Sequence, residues 1–179
     1  MNSECQNPKP KTQNPKPKTQ NPKPKTSNML NIVLVEPEIP NNTGNIGRLC
    51  VGTESRLHLI HPFGFVINDK NLKRSGLDYW VHLDVTEYQN VAEWKAQIPD
   101  LSRVFLMSSH AEKSYLENDF QDGDWLVFGK ESKGLSETFL NEFPNHLTIP
   151  MSPLIRSFNI ANSVAFVIGE AKRQIAVKL

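Results

Sequence analysis

Short apolar runs alternate with stretches of helical periodicity from residue 30 onward. NIVLV (31–35) is too short for a helix and apolar on both faces, so it predicts a buried strand that Pro37 and Pro40 end. LHLIHP (57–62), WVHLDV (80–85), VFLMSS (104–109), WLVFG (125–129) and HLTIPM (146–151) predict further strands. Residues 43–53 predict a helix with Thr43 or Asn42 near its N-cap, and DKNLKRSGL (69–77) a short helix closed by Gly76. VAEWKAQI (91–98), LSETFLNEF (135–143) and residues 157–176 predict three more helices. Apolar strands with little alternation, separated by helices, imply an α/β fold with a mainly parallel sheet flanked by helices. Ligands of such folds gather at the carboxyl ends of strands. Three loops there, 36–48, 129–134 and 151–159, are rich in small and polar residues.

The first 28 residues stand outside this pattern. Residues 6–26 are three identical copies of QNPKPKT with no aliphatic or aromatic side chain, so they have nothing to bury against the entropy cost of ordering. The expected organisation is a disordered, basic repeat tail at 1–28 and one domain at 29–179. The tail carries six Lys and one acid, a net +5, which leaves −4 for the remainder of a chain whose total is +1. The domain is therefore not a globally basic nucleic-acid binder, and any such surface must be local. The tail is either a sequence-blind phosphate contact or a dispensable extension, and Met29 just before the first strand is consistent with a later start. Cys5 and Cys50 make no CxxC pair, so neither a disulfide framework nor a zinc site is expected, and no metal is assigned. No apolar run approaches membrane-spanning length and no signal-like segment precedes the domain, so the expectation is a cytoplasmic protein without a membrane partner.

Each loop admits a structural and a functional reading. NNTGNIGRLC (41–50) has only GxxG where a dinucleotide fingerprint needs GxGxxG, and it lacks the Gly-Lys-Ser/Thr of a Walker loop. Arg48, about one turn into the following helix, is either an exposed helical cation or a group that reaches back toward a polyanion. In FGKESKGL (128–135), Gly129 after a buried strand permits close approach of a ligand or of another backbone, and Glu131 near a helix start also fits simple dipole compensation. In IPMSPLIRSFNIANSVAF (149–166), Ser157, Asn159, Asn162 and Ser163 crowd one helix start, more than a single N-cap needs.

In order, N-T-G-N-I-x-R, F-G-x-E-x-x-G-L and I-P-M…R-S-x-N-x-x-N-S-V resemble the three motifs of the SPOUT superfamily of RNA methyltransferases. MLNIVLVEPEIPNNTGNIGRLC and RSGLDYW resemble its TrmL (YibK-like) branch, and the resemblance runs from Met29 to about Gln174. It implies 2′-O-methylation of a tRNA wobble nucleotide, a cytidine or modified uridine of leucine-type tRNAs. It also implies a deep trefoil knot in the carboxyl half, a homodimer, and S-adenosyl-L-methionine as cofactor. By motif position the cofactor meets Met107, Gly129, Ile149, Met151 and Ser157. Arg48, Asn42 and Glu131 form the catalytic group, Glu131 as an organiser that accepts backbone N–H bonds or orients Arg48. Asn42, Arg48, Lys130, Arg156 and Asn159 face the tRNA. A guanidinium stays protonated in proteins, so Arg48 is expected to clamp phosphate and stabilise a developing alkoxide rather than take a proton.

Two residues depart from the branch pattern. Gly47 stands where a bulkier aliphatic residue is common, which is expected to loosen the helix start, and Ala161 stands where Ser is frequent. Another tRNA or ribosomal RNA position, a catalytically silent RNA-binding SPOUT domain and an ordinary nucleotide-binding α/β enzyme are the competing readings. Joint presence of Asn42, Arg48, Glu131, Ser157 and Asn159 disfavours the silent domain, and the missing third glycine disfavours the dinucleotide enzyme.

Overall fold

The computed structural model describes residues 29–65 and 78–177; the tail 1–28 and the helix expected at 69–77 lie outside the described residues. Six strands form one sheet: β1 (Asn31–Val35), β2 (Arg56–Ile60), β3 (Val85–Tyr88), β4 (Val104–Met107), β5 (Trp125–Phe128) and β6 (Asn145–Leu147). Their order is β3-β2-β1-β5-β4-β6 and every pairing is parallel. The chain runs outward from β1 through β2 to β3, then crosses back to build the other half. β1 and β5 thus meet at the switch point, where the loops leaving adjacent strands open a crevice.

Both faces of the sheet are covered, which explains the lack of alternation in the strands. Ile32, Leu34, Leu57, Leu59, Phe105, Leu126 and Phe128 point into one core with Val164, Val167, Ile168 and Ala171. These last four belong to helix α4 (Ile160–Val177), which packs beside helix α1 (Pro40–Gly52). Val33, Val35, Ile60, Val104, Leu106 and Val127 point the other way, against Trp94, Phe139 and Phe143. Trp94 lies on the short helix α2 (Val91–Lys95) and Phe139 on the single turn α3 (Glu137–Leu140). Among the described residues, no helix is long and apolar enough to cross a membrane.

Several boundaries differ from the sequence expectation, each for a local reason. α1 begins at Pro40, not at residue 43. Its N-cap is Ile39, which offers no side-chain cap, so neither Thr43 nor Asn42 has that role. Pro40 sits at the first helical position, where its missing N–H costs nothing. The strand expected at 80–85 is instead a 3₁₀ turn over Asp78–His82 followed by β3 at 85–88. Trp80 and Leu83 are drawn onto α1, and their burial outweighs local β-propensity. The helix expected at 135–143 shortens to α3, capped by Ser136, whose side chain accepts from Phe139 N. The strand expected at 146–151 stops at Leu147, because Thr148 exchanges backbone bonds with Lys113 and Tyr115 instead and Pro150 has no N–H.

Candidate functional site

The two loops at the β1/β5 switch point are stitched together by carboxylates. Glu131 accepts hydrogen bonds from the backbone N–H of Glu38 at 2.9 Å and of Ile39 at 3.2 Å, and from Asn42 Nδ2 at 3.0 Å. The backbone N–H groups of the two residues that lead into α1 are thus met by an acid 92–93 residues away in sequence, at the end of the helix where negative charge is favourable. Glu38 reciprocates by accepting from Ser132, from its N–H at 2.9 Å and its hydroxyl at 2.8 Å. Those bonds from Ser132 hold the Glu38 carboxyl below its usual range. Lys130 pairs with Glu36, a non-glycine residue at φ 51°, and that hydrogen bond raises the lysine's pKa.

The third loop joins through Asn42, which is 6 % exposed. Its Oδ1 accepts from Asn159 Nδ2 at 3.0 Å, while Asn159 Oδ1 accepts from Ala161 N at 2.9 Å and so caps α4. The relay Glu131–Asn42–Asn159 therefore ties all three sequence-singled loops into one body. Only a backbone N–H is needed from position 161, so Ala161 meets that role as well as Ser would.

Gly129 has a strict packing reason. A Cβ there would lie 2.2 Å from the Gly134 carbonyl carbon and 2.3 Å from Leu135 N. The loop closes on itself through the Lys130–Gly134 backbone pair, at 3.2 and 2.8 Å, with Gly134 at φ +69°. Of the two readings left open for Gly129, the close approach is by the chain's own backbone.

Met107, Gly129 and Ile149 leave β4, β5 and β6, three neighbouring strands, at their carboxyl ends. Met107 and Ile149 are half-buried against the core beneath α4, and Met151 is half-buried beyond them. Ser157 and Arg156 are exposed in the stretch before α4. Apolar walls beside backbone groups that end strands are the surroundings an adenine ring and a thioether need, so these residues fit the cofactor that the resemblance implies. A cavity of about 380 Å³ lies elsewhere, lined by His110, Lys113, Asn118 and His146 among others, and contains none of the residues singled out from sequence. Among the described residues no group of three or more His, Cys, Asp or Glu is placed to hold a metal.

Arg48 is exposed on α1, and its guanidinium carbon stands 4.9 Å from the centre of the Tyr79 ring. Glu131 directs its bonds to Glu38, Ile39 and Asn42, so of the two organiser roles expected for it the backbone one is seen. Sequence reading missed Tyr79, Glu38 and Ser132. Each lies inside a stretch that carries the resemblance, Tyr79 in RSGLDYW, Glu38 in MLNIVLVEPEIPNNTGNIGRLC and Ser132 in FGKESKGL, but no residue-level signal singled it out.

The profile of the SpoU rRNA methylase family matches residues 29–169. The chain belongs to the SpoU rRNA methylase family. This SpoU-family domain is 46 % identical, over 152 residues, to a Polaromonas protein named tRNA (cytidine(34)-2′-O)-methyltransferase, covering 82 % of this chain and 91 % of that one. An Escherichia coli protein of the same name is 45 % identical over 150 residues, covering 82 % and 94 %. A solved structure described as giving insight into 2′-OH methylation of C/U34 on tRNA superposes with a TM-score of 0.77 at 44 % identity, over 82 % and 95 % of the chains. The SpoU methyltransferase AviRb of Streptomyces viridochromogenes, solved with AdoMet, shares the fold at a TM-score of 0.70 and 22 % identity, over 87 % of this chain and 64 % of that one. The α/β SPOUT fold expected from the motifs is thus the fold observed.

Proposed function

We propose that this protein methylates the ribose 2′-OH of the wobble nucleotide of tRNA, nucleotide 34, with S-adenosyl-L-methionine as cofactor. The observation that carries the chemistry is the Glu131–Asn42–Asn159 relay, which fixes three loops around the β1/β5 crevice and leaves Arg48 exposed about two turns into α1. The names of relatives at 45–46 % identity supply the nucleotide.

When bound, S-adenosyl-L-methionine supplies an electrophilic methyl group. Met107, Gly129, Ile149, Met151 and Ser157 hold it, the apolar side chains as walls and the loop backbones as partners for its polar edges. The chain's remaining task is to align a hydroxyl and stabilise the charge it gains, and alignment alone is worth several orders of magnitude in rate. Arg48 supplies a fixed positive charge for the phosphate and the developing alkoxide, and the proton leaves to phosphate or water. Asn42 and Glu131 act by rigidity: their bonds run inward and set where α1 starts. Arg156 and Asn159 border the tRNA side. Lys130 adds to that border through a head group already neutralised by Glu36.

Apolar side chains exposed near α4, Leu154 at 91 %, Ile155 at 45 % and Phe166 at 45 %, support a second copy of the chain as partner. We place the pair with its tRNA in the cytoplasm. Calorimetry tests the cofactor class: S-adenosylhomocysteine binds and NAD does not, and light scattering on the same sample gives twice the chain mass. NAD binding without S-adenosylhomocysteine binding overturns the reading.

A further inference from the structure

We propose that the turn 78–83, seated in a notch on α1, positions Arg48, and that Tyr79 is the residue that holds its guanidinium. This rests on the reading that Arg48 serves methyl transfer. Gly44, Gly47 and Arg48 are spaced i, i+3 and i+4, so they share one face of α1. Each is engaged by the same short turn.

The notch is Gly47. A Cβ there would stand 3.0 Å from the Trp80 ring and 3.1 Å from Leu83, so both side chains occupy the space a larger residue would fill. Gly47 thus docks Trp80 rather than loosening the helix.

Docking Trp80 brings its neighbour Tyr79 to the same face. The Tyr79 hydroxyl donates to the carbonyl of Gly44, the group that faces the Arg48 amide in α-helical geometry. The Tyr79 ring lies against the Arg48 guanidinium, 4.9 Å from ring centre to guanidinium carbon. One side chain thus touches both the backbone turn that carries Arg48 and its charged end. A cation held over a ring keeps its charge and loses part of its rotamer freedom before substrate arrives. Tyr79 is therefore a positioning residue, and its contribution appears in kcat rather than in cofactor binding.

The test compares Tyr79→Leu, Tyr79→Phe and Arg48→Ala in methyl transfer to tRNA, with S-adenosylhomocysteine affinity as the check on folding. Misplacing Arg48 in Tyr79→Leu is expected to lower kcat about 10- to 100-fold with cofactor affinity unchanged. Tyr79→Phe keeps the ring under the cation and loses less. In the Arg48→Ala background, Tyr79→Leu adds no further loss. A second readout needs no turnover: the Arg48 Nε–H resonance, assigned by its absence in Arg48→Lys, is shifted upfield by the ring in the wild type and in Tyr79→Phe. Full kcat in Tyr79→Leu, losses that multiply with Arg48→Ala, or no ring shift in the wild type would each overturn the positioning role. A wild type that shows the ring shift but methylates no tRNA would instead overturn the functional reading and leave the geometry standing.

Discussion

At the scale of single residues, polar side chains divide between those that organise the site and those that organise the core. Glu131 spends both oxygens on the start of α1 and on Asn42, so its contribution is rigidity. His58 is the corresponding group within the sheet. Its Nδ1 accepts from the Tyr88 hydroxyl at 2.9 Å and its Nε2–H donates to Asn31 Oδ1 at 3.2 Å, a pattern that suits the neutral ring. Burial first, then the nearby Arg56, pushes its pKa down to about 4 from an ordinary 6.5. The unfolded chain therefore binds a proton that the folded one refuses between those values. Stability is complete above pH 6.5 and falls as the pH drops toward 4. Urea unfolding at pH 7 and 4.5 should show His58→Gln losing roughly 2–3 kcal/mol less stability than the wild type over that interval. Equal losses in the two proteins would mean that His58 does not titrate there.

At the scale of elements, what could be read from sequence depended on how local the cause was. The apolar runs of β1, β2, β4 and β5 were legible because burial on both faces leaves a local mark. The three loops were legible because small and polar residues cluster where strands end. The start of α1 was not, since its capping acid is Glu131. Nor was the turn 78–83: WVHLDV has strand-like composition, and only the missing side chain at Gly47, some 30 residues earlier in sequence, explains why Trp80 leaves the sheet. Tyr79 was missed for the same reason. The loop after β5 is the element with least tolerance. In Gly129→Ala the methyl would meet backbone at 2.2 Å, so the Lys130–Gly134 pair must open. We expect a loss of about 2–4 kcal/mol in thermal unfolding and at least tenfold weaker S-adenosylhomocysteine binding. Wild-type values for both would contradict the account of this loop.

At the scale of the whole molecule, the topology places the chemistry. Parallel order with a switch between β1 and β5 collects the loops of β1, β4, β5 and β6 at one end of the sheet. The repeat tail joins at Met29, at the opposite end of β1. Net charge divides the same way, +5 before residue 29 and −4 after it, so attraction to RNA within the domain must come from a few residues near the crevice. In the proposed mechanism Arg48 is central among them, carried on a helix whose start Glu131 holds and whose face Tyr79 contacts. Labelled methyl transfer into tRNA that lacks the modification, followed by nucleoside mapping, tests this most directly. The wild type should place one methyl on the 2′-oxygen of nucleotide 34, and Arg48→Ala should slow that transfer by about 100-fold or more while still binding S-adenosylhomocysteine. Methylation at another position, or an unimpaired Arg48→Ala, would contradict it.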